Sequence, residues 1–503
     1  MAAGVRFRSL LWLALVVAAL GYFLLSRHGS SSASLSVAPA DVLRLGALTL
    51  EPCEIGRKDV GVATVHAYCA LVPVPENRAA PALRTLHLKI AVVRADAAQP
   101  LADIVTFLDG GPGGAATEDY PAIAAAFAPL RKRHSILLID QRGTGGSNPL
   151  QCDDEKDSAA APGADAIRAC ARALLPHADP RYYTTSDAVE DLEAVRQALG
   201  RPMLDLVAVS YGTRVAQRYA RQYGAGVRAM VLDGAVPNSL ALGGEHASNL
   251  EAVLRELFTR CRTTQECAKR YNDPYQTLKG LQARLRAQPQ KISVRDPYTF
   301  RSQEKTLTAD ELAQLVRVYM YSPYTASLLP YVLQQAAAGD YAPLAGQAQV
   351  AVGDLSESLA GGMALSVNCA EDAGGLKVQP QDADTVLGNG LTSALLSACA
   401  LWPHGTAPAD FAQPLQGPLP VLMLAGEQDP VTPPRYSDAI ARTLTNARVL
   451  KLNGQGHAVL GVSCVPRLMN EFILSLNARA LDARCLKALS PAPFFIDTNG
   501  SGP

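Results

Sequence analysis

The chain has 503 residues, and 48% of them are hydrophobic, enough for a large core. Its 46 Lys and Arg balance its 46 Asp and Glu. With no long basic run besides, this argues against a nucleic-acid partner. The length exceeds one average domain, but a single enzyme core carrying an inserted subdomain accommodates all of it.

In chain order, Arg6 and Arg8 precede an apolar run from Leu10 to Leu25, closed by Arg27 and His28. This pattern predicts a signal peptide or signal anchor over residues 1–28, with the N-terminus cytoplasmic and the body exported. Residues 29–45, small and polar at first, are expected to be a linker. No Cys follows the run, which disfavours a lipoprotein anchor. The body is therefore expected to be periplasmic or secreted, touching a membrane only through its N-terminal segment. The cysteines fit export: Cys53, Cys69, Cys152, Cys170, Cys261, Cys267, Cys369, Cys399, Cys464 and Cys485 form an even set. They fall as sequential couples, and pairing in that order is expected, although spacing alone does not fix connectivity. No tight C-x-x-C or Cys/His cluster suggests zinc, and neither a metal nor a cofactor is expected.

Thr64 to Val74 and Thr85 to Val93 alternate, or run apolar with β-branched residues, and predict strands. Ile104 to Leu108, Ser135 to Ile139, Leu204 to Val209 and Val227 to Leu232 predict further strands. Asp187 to Leu199 has helical spacing, with Val189, Leu192, Val195 and Leu199 on one face. The alternation predicts an α/β fold, a mostly parallel sheet with helices on both faces. Its first part spans residues 46–237. Residues 238–417 are rich in Ala, Leu and Gln at helical spacing and predict an inserted helical cap. Core strands resume in residues 418–503.

Chemistry concentrates at the ends of these strands. After Ile104 to Leu108 comes Asp109-Gly110-Gly111-Pro112-Gly113-Gly114, a Gly-rich turn where Gly110 and Gly111 can offer backbone N–H groups to an oxyanion. A phosphate-cradling loop is the alternative, but no G-x-x-x-x-G-K pattern follows. Leu204 to Val209 ends abruptly at Ser210, and a helical pattern starts at once. This is the strand–sharp turn–helix layout of a nucleophile elbow, with the Tyr211 N–H as a second oxyanion donor. The bland alternative is a buried strand followed by a Ser N-cap. A buried strand from Val421 ends near Glu427 and Asp429. Asp429 is preferred as the acid, because Pro430 and Thr432 read as a turn that would hold it at the strand exit. A last strand runs into Gly456-His457. A Ser hydroxyl needs a base, imidazole titrates near working pH, and a carboxylate at its far nitrogen fixes the tautomer. The order Ser210, Asp429, His457 differs from the orders of chymotrypsin-like and subtilisin-like proteases.

These motifs resemble those of the α/β-hydrolase serine peptidases of the proline iminopeptidase and tripeptidyl aminopeptidase group. Gly110-Gly111-Pro112-Gly113 is similar to that group's G-G-P-G loop. Asp140-Gln141-Arg142-Gly143-Thr144-Gly145-Gly146-Ser147 is similar to its D-x-R-G-x-G-x-S signature, and Ser210-Tyr211-Gly212-Thr213 to its S-Y-G-T elbow. The stretch from Gly456-His457 through Cys464-Val465-Pro466 to Cys485 and Pro493-Phe494-Phe495 resembles the C-terminal module of the secreted tripeptidyl aminopeptidases. Two departures stand out: Asp109 occupies the position where proline iminopeptidases carry His, and Ala208 replaces the first elbow Gly. The resemblance implies peptide substrates and a cap carboxylate that anchors the substrate's free amino terminus. Glu371 and Asp372, beside Cys369, are the candidates, with Glu245 behind them; the alternative is an ordinary solvent-facing acid pair. The leading expectation is an exported serine aminopeptidase of tripeptidyl or prolyl type. A carboxylester hydrolase with the same triad is the alternative, and a non-catalytic binding protein is disfavoured by the intact Ser, Asp and His.

Overall fold

The computed structural model describes residues 42–57, 63–151, 163–295, 301–347 and 359–501. The predicted signal segment 1–28, most of the 29–45 linker and Cys152 lie outside the described residues. A ten-stranded sheet organises the rest, in the order β1-β2-β3-β4-β6-β5-β7-β8-β11-β12. Its strands are β1 (Leu43–Leu45), β2 (Leu48–Ile55), β3 (Val65–Pro75), β4 (Thr85–Val93), β5 (Ile104–Leu108), β6 (Ser135–Ile139), β7 (Leu204–Val209), β8 (Val227–Asp233), β11 (Val421–Gly426) and β12 (Ala447–Leu452). A separate hairpin pairs β9 (Gln290–Arg295) with β10 (Ser302–Leu307). The N-terminal strands through the β4–β6 pair are antiparallel, and the remaining pairs of the large sheet are parallel.

The predicted strands lie where the apolar runs placed them, because a parallel strand covered on both faces must be apolar almost throughout. In β8 the alternation is visible: Met230 and Leu232 enter one core, Ala229 and Val231 the other. One core is closed by helices 185–198 and 211–222 through Leu192, Val195, Val215 and Tyr219. The other is closed by helices 116–131 and 465–475 through Tyr120, Phe127, Leu468 and Phe472.

The linker expectation needs correcting at its end, since Leu43–Leu45 is strand β1, paired with β2. Neither strand was predicted. β2 reads LTLEPCEI, with a Pro and two Glu interrupting the β-branched, alternating pattern of a half-buried strand.

Between β8 and β11 the described residues are mostly helical and build a third core of their own, containing Leu250, Leu254, Phe258, Leu312, Val316 and Tyr319. Residues Leu312, Leu315, Val316 and Tyr319 share the buried face of helix 309–319. That helix starts with a capping box in which Thr308 and Glu311 bond reciprocally. Among the described residues, no helix is long and apolar enough to cross a membrane.

Disulfides join Cys53–Cys69, Cys261–Cys267, Cys369–Cys399 and Cys464–Cys485. Cys170 is also disulfide-bonded. Each of the four pairs is a sequential couple. Mass spectrometry of non-reduced digests should therefore recover neighbouring couples, Cys369 with Cys399 among them; free thiols at these positions would overturn the pairing and the oxidising compartment it implies.

Candidate active site

Strand order decides where a site can form. From β5 the chain crosses one way to β6 and then returns past β5 to β7. Loops leaving β5 and β7 therefore diverge at their carboxyl ends and open a crevice there. The loop after β5 is Asp109 to Gly114, and the residue after β7 is Ser210.

Ser210 has φ 52° and ψ −124°, a conformation that a non-glycine residue holds only when its surroundings impose it. Here they do. Its N–H donates to the Asp233 carbonyl at 2.9 Å, and its carbonyl accepts from the Thr213 N–H at 2.9 Å and the Thr213 hydroxyl at 2.6 Å. Helix 211–222 runs back under β5 so closely that a Cβ on Gly212 would lie 2.3 Å from the Leu108 carbonyl oxygen, so only glycine fits. Ala208, by contrast, is fully buried in the strand, and its methyl is accommodated there.

The Gly-rich loop stands over the serine: a Cβ on Gly110 would come within 3.2 Å of Ser210 Cβ. The Gly110 N–H, however, donates to Asp109 Oδ1 at 2.7 Å. That donor is committed, so of the predicted loop donors Gly111 is the better candidate, together with the Tyr211 N–H at the helix start. The buried Asp109 carboxyl also interacts with Asp119 of helix 116–131. Burial, followed by their mutual interaction, pushes Asp119 up, and burial also raises Asp109. Two carboxyls coupled in this way disfavour each other's ionisation. Sequence reading missed this pair because its members sit on different elements.

Asp429 lies just beyond β11 and is 1% exposed. Its Oδ1 accepts from the Val431 and Thr432 N–H groups, both at 2.8 Å, and its Oδ2 from the Thr432 hydroxyl at 2.7 Å. His457 Nδ1 bonds the same Oδ2 at 2.8 Å. Burial disfavours charge on both groups, but the pairing outweighs it, holding Asp429 below the usual carboxylate range and lifting His457 above its ordinary value. Glu427 is exposed.

His457 is fixed from two further sides. Its backbone N–H donates to the Tyr321 carbonyl at 2.8 Å, and the two rings stand 5.3 Å apart. Asp233, at the end of β8, accepts from the Val459 and Leu460 N–H groups at 2.6 and 2.8 Å. Burial pushes it up to about 7. The sequence showed Asp233 only as the end of an apolar run. The imidazole also lies against Gly234, where a Cβ would meet His457 Cε1 at 3.1 Å. Strand register thus gathers the Ser210, Asp429 and His457 segments: Val209 pairs with Asp233, Leu424 with Asp233, and Gly426 with Leu452.

The two predicted substrate acids are placed differently from each other. Asp372 faces Arg214, at 3.0 and 3.1 Å from Nη1, and accepts from the Leu242 N–H at 3.0 Å. The solvent-facing alternative fails for Asp372, which is buried with its carboxylate on the Arg214 guanidinium. Glu371 accepts from the Thr185 N–H at 2.6 Å and hydroxyl at 2.7 Å, and that hydroxyl also bonds the Tyr211 hydroxyl at 2.7 Å. Burial pushes Glu371 up to about 7, although Arg214 and Thr185 oppose the rise. Glu245 is paired with Arg435 and Tyr436, each at 2.7 Å.

The Asp140–Ser147 signature is scaffold. Arg142 is fully buried, grips Asp191 through two bonds of 2.6 Å, and donates to the Tyr182 and Glu76 carbonyls. Asp140 accepts from the Thr117 N–H and hydroxyl and from the Gly146 N–H. At the opposite edge of the sheet, Asp103, His134 and Asp205 could together hold a metal, but Arg228 already bonds Asp103 and Asp205 at 2.5 Å each.

Comparisons with known proteins give the family of the chain. The profile of a family described as having the alpha/beta hydrolase fold matches residues 103–462. The chain is 24% identical over 472 residues to a tripeptidyl aminopeptidase of Streptomyces lividans, covering 84% of each chain. It is 24% identical over 506 residues to the serine protease Hip1 of Mycobacterium tuberculosis, covering 86% of this chain and 90% of that one. Among solved structures, a proline iminopeptidase of Mycobacterium smegmatis aligns over 81% of this chain and 98% of its own, with 17% identity and a TM-score of 0.35.

Proposed function

Because the chain belongs to the alpha/beta hydrolase family, and is a serine hydrolase with peptidase relatives, we propose that it is an exported serine aminopeptidase acting on peptides with a free N-terminus. His457 takes the proton of Ser210 as the hydroxyl attacks the scissile carbonyl. The Tyr211 and Gly111 N–H groups receive the oxyanion. His457 then gives its proton to the leaving amine, and water releases the acyl-enzyme through the same base. The disulfides support export, because such bonds persist in oxidising compartments. The helical block 238–417 serves as the cap that confines substrates to chain ends.

The observation that carries the amine specificity is a charge imbalance. Arg214 is one buried cation shared by two acids, Asp372 at 3.0 Å and Glu371 at 3.8 Å. Asp372 takes most of its charge. Glu371, linked through Thr185 to the residue that follows Ser210, is left as a buried carboxyl titrating near 7. A substrate ammonium supplies the missing positive charge.

Acetylating the N-terminus of a good peptide substrate should lower kcat/KM by about ten- to a hundredfold, the worth of a charge-assisted contact. Glu371→Gln should lower the ratio of peptide to simple-ester turnover by a similar factor. The sign with pH follows from the raised value. Below about 7 Glu371 takes up a proton, so KM for free-amine peptides should rise as pH falls through 7, and this rise should be absent in Glu371→Gln. Equal cleavage of acetylated and free peptides would sink the aminopeptidase reading in favour of an ester hydrolase or an endopeptidase.

A further inference from the structure

The leaving group has its own side of the site. In acyl transfer the imidazole that activates the serine also protonates the departing amine, so the departing part of the substrate stands beside His457. The wall there is built by the end of helix 309–319 and the turn after it. Tyr321 packs on the His457 ring at 5.3 Å, and Arg317 lies over the Tyr321 ring with its Cζ at 5.9 Å from the centroid.

Arg317 is half-buried, yet among the described residues it forms no ion pair and donates no hydrogen bond, while its guanidinium lies over the Tyr321 ring. Among the described residues, the titratable groups beside it do not serve as its counter-ion. Asp429 is taken up by His457, Thr432 and Val431. Burial, followed by the Arg317 charge, pushes His246 down to about 3, so that ring is neutral. Its Nδ1 is buried without a partner among the described residues. The Arg317 charge also opposes protonation of His457, which the Asp429 carboxylate overcomes. A basic residue in the last turn of a helix complements the helix dipole, but that role needs only an exposed side chain. It does not require a half-buried guanidinium over the ring that packs on His457, with no hydrogen bond to the described residues.

We propose that Arg317 binds the free α-carboxylate at the C-terminus of short peptide substrates. The inference rests on Ser210 and His457 being the acylating pair. The planar fork of a guanidinium matches a carboxylate through two parallel bonds. The two ring contacts in series set the reach. At about 3.5 Å per extended residue, they allow a leaving group of roughly one to three residues. The enzyme would thus read both ends of its substrate, the ammonium on the acyl side and the carboxylate on the leaving side. It is an oligopeptide-trimming enzyme and not one that shortens long chains.

The test compares tetraalanine with its C-terminal amide, using the full-length wild type, Arg317→Gln and Arg317→Lys. The wild type should favour the acid in kcat/KM by about ten- to a hundredfold. Arg317→Gln should bring acid and amide together, and Arg317→Lys should keep part of the preference as a point charge. Equal cleavage of acid and amide by the wild type overturns the proposal. So does an Arg317→Gln variant that slows both and keeps their ratio, because that is a structural role. A second readout works without peptide cleavage. Alanyl-alanine should inhibit nitrophenyl-ester hydrolysis more strongly than its amide, and Arg317→Gln should remove that difference. If peptides are not cleaved but this difference is present, the aminopeptidase reading fails while the carboxylate site stands. If the difference is absent, the site fails.

Discussion

Replacing Ser210 with Ala should lower kcat by on the order of 10⁴-fold or more while leaving the protein folded. The expectation follows from what the side chain does and does not hold. The backbone of residue 210 is fixed by its N–H to the Asp233 carbonyl and by the Thr213 contacts to its own carbonyl. None of these bonds uses the Ser210 hydroxyl. Alanine therefore keeps the elbow, with its φ of 52° and whatever strain that carries. What disappears is the nucleophile. The loop and helix N–H groups remain, so a residual acceleration over water, roughly 10³-fold or more, should persist. Measured turnover of peptide and ester, with circular dichroism as the check on folding, decides the matter. Near-normal turnover in a folded Ser210→Ala protein would remove the acyl-enzyme mechanism altogether.

The elements that carry this chemistry were legible because the physics that makes them is local. Strands β5, β7, β8 and β11 are covered on both faces and so appear as short apolar runs. Each ends where polarity returns, and those ends carry Asp109, Ser210, Asp233 and the approach to Asp429. The preference for Asp429 over Glu427 also rested on a local signal, the turn residues Pro430 and Thr432. In the fold that turn supplies three donors to the Asp429 carboxylate.

What the sequence hid depends on distant pairing. In hairpin β9–β10 the inward face of β9 is only Ile292 and Val294, and β10 is polar and exposed up to its last residue, so the alternation is too short to read. Arg142 looked like part of a functional signature, and only its partner Asp191, 49 residues away, reveals it as scaffold. Asp372 read as a candidate substrate acid or else a surface acid, and nothing nearby in the chain pointed to its partner Arg214, 158 residues earlier. The commitment of the Gly110 N–H to Asp109, although only one residue away, was missed because it depends on a side-chain conformation. Such bonds leave no periodicity to read.

Asp429→Asn should cost about 10⁴-fold in kcat, as losing the orienting carboxylate does in other triads, while Glu427→Gln should cost far less. Asparagine keeps the shape and can still accept from the Val431 and Thr432 N–H groups, so the turn should survive. It changes the partner of His457 Nδ1. With Asp429 that nitrogen carries the proton and Nε2 is free to act as base; an amide that donates in its place reverses the tautomer. The charge matters as well. The Asp429 carboxylate lifts His457 above its ordinary pKa against the opposing effect of burial. With that charge removed, burial and Arg317 push the ring the other way, and Asp233 alone still favours the charged form. Catalysis needs neutral His457, so the acidic limb of the kcat profile should begin above the ordinary histidine range in the wild type and move to lower pH in Asp429→Asn. Glu427, exposed at the strand exit, should move neither the rate nor the limb by a comparable amount. If Glu427→Gln instead reproduced both effects and Asp429→Asn neither, Glu427 would be the acid that orients His457, and the loop after β11 would have to rearrange in solution to bring it there.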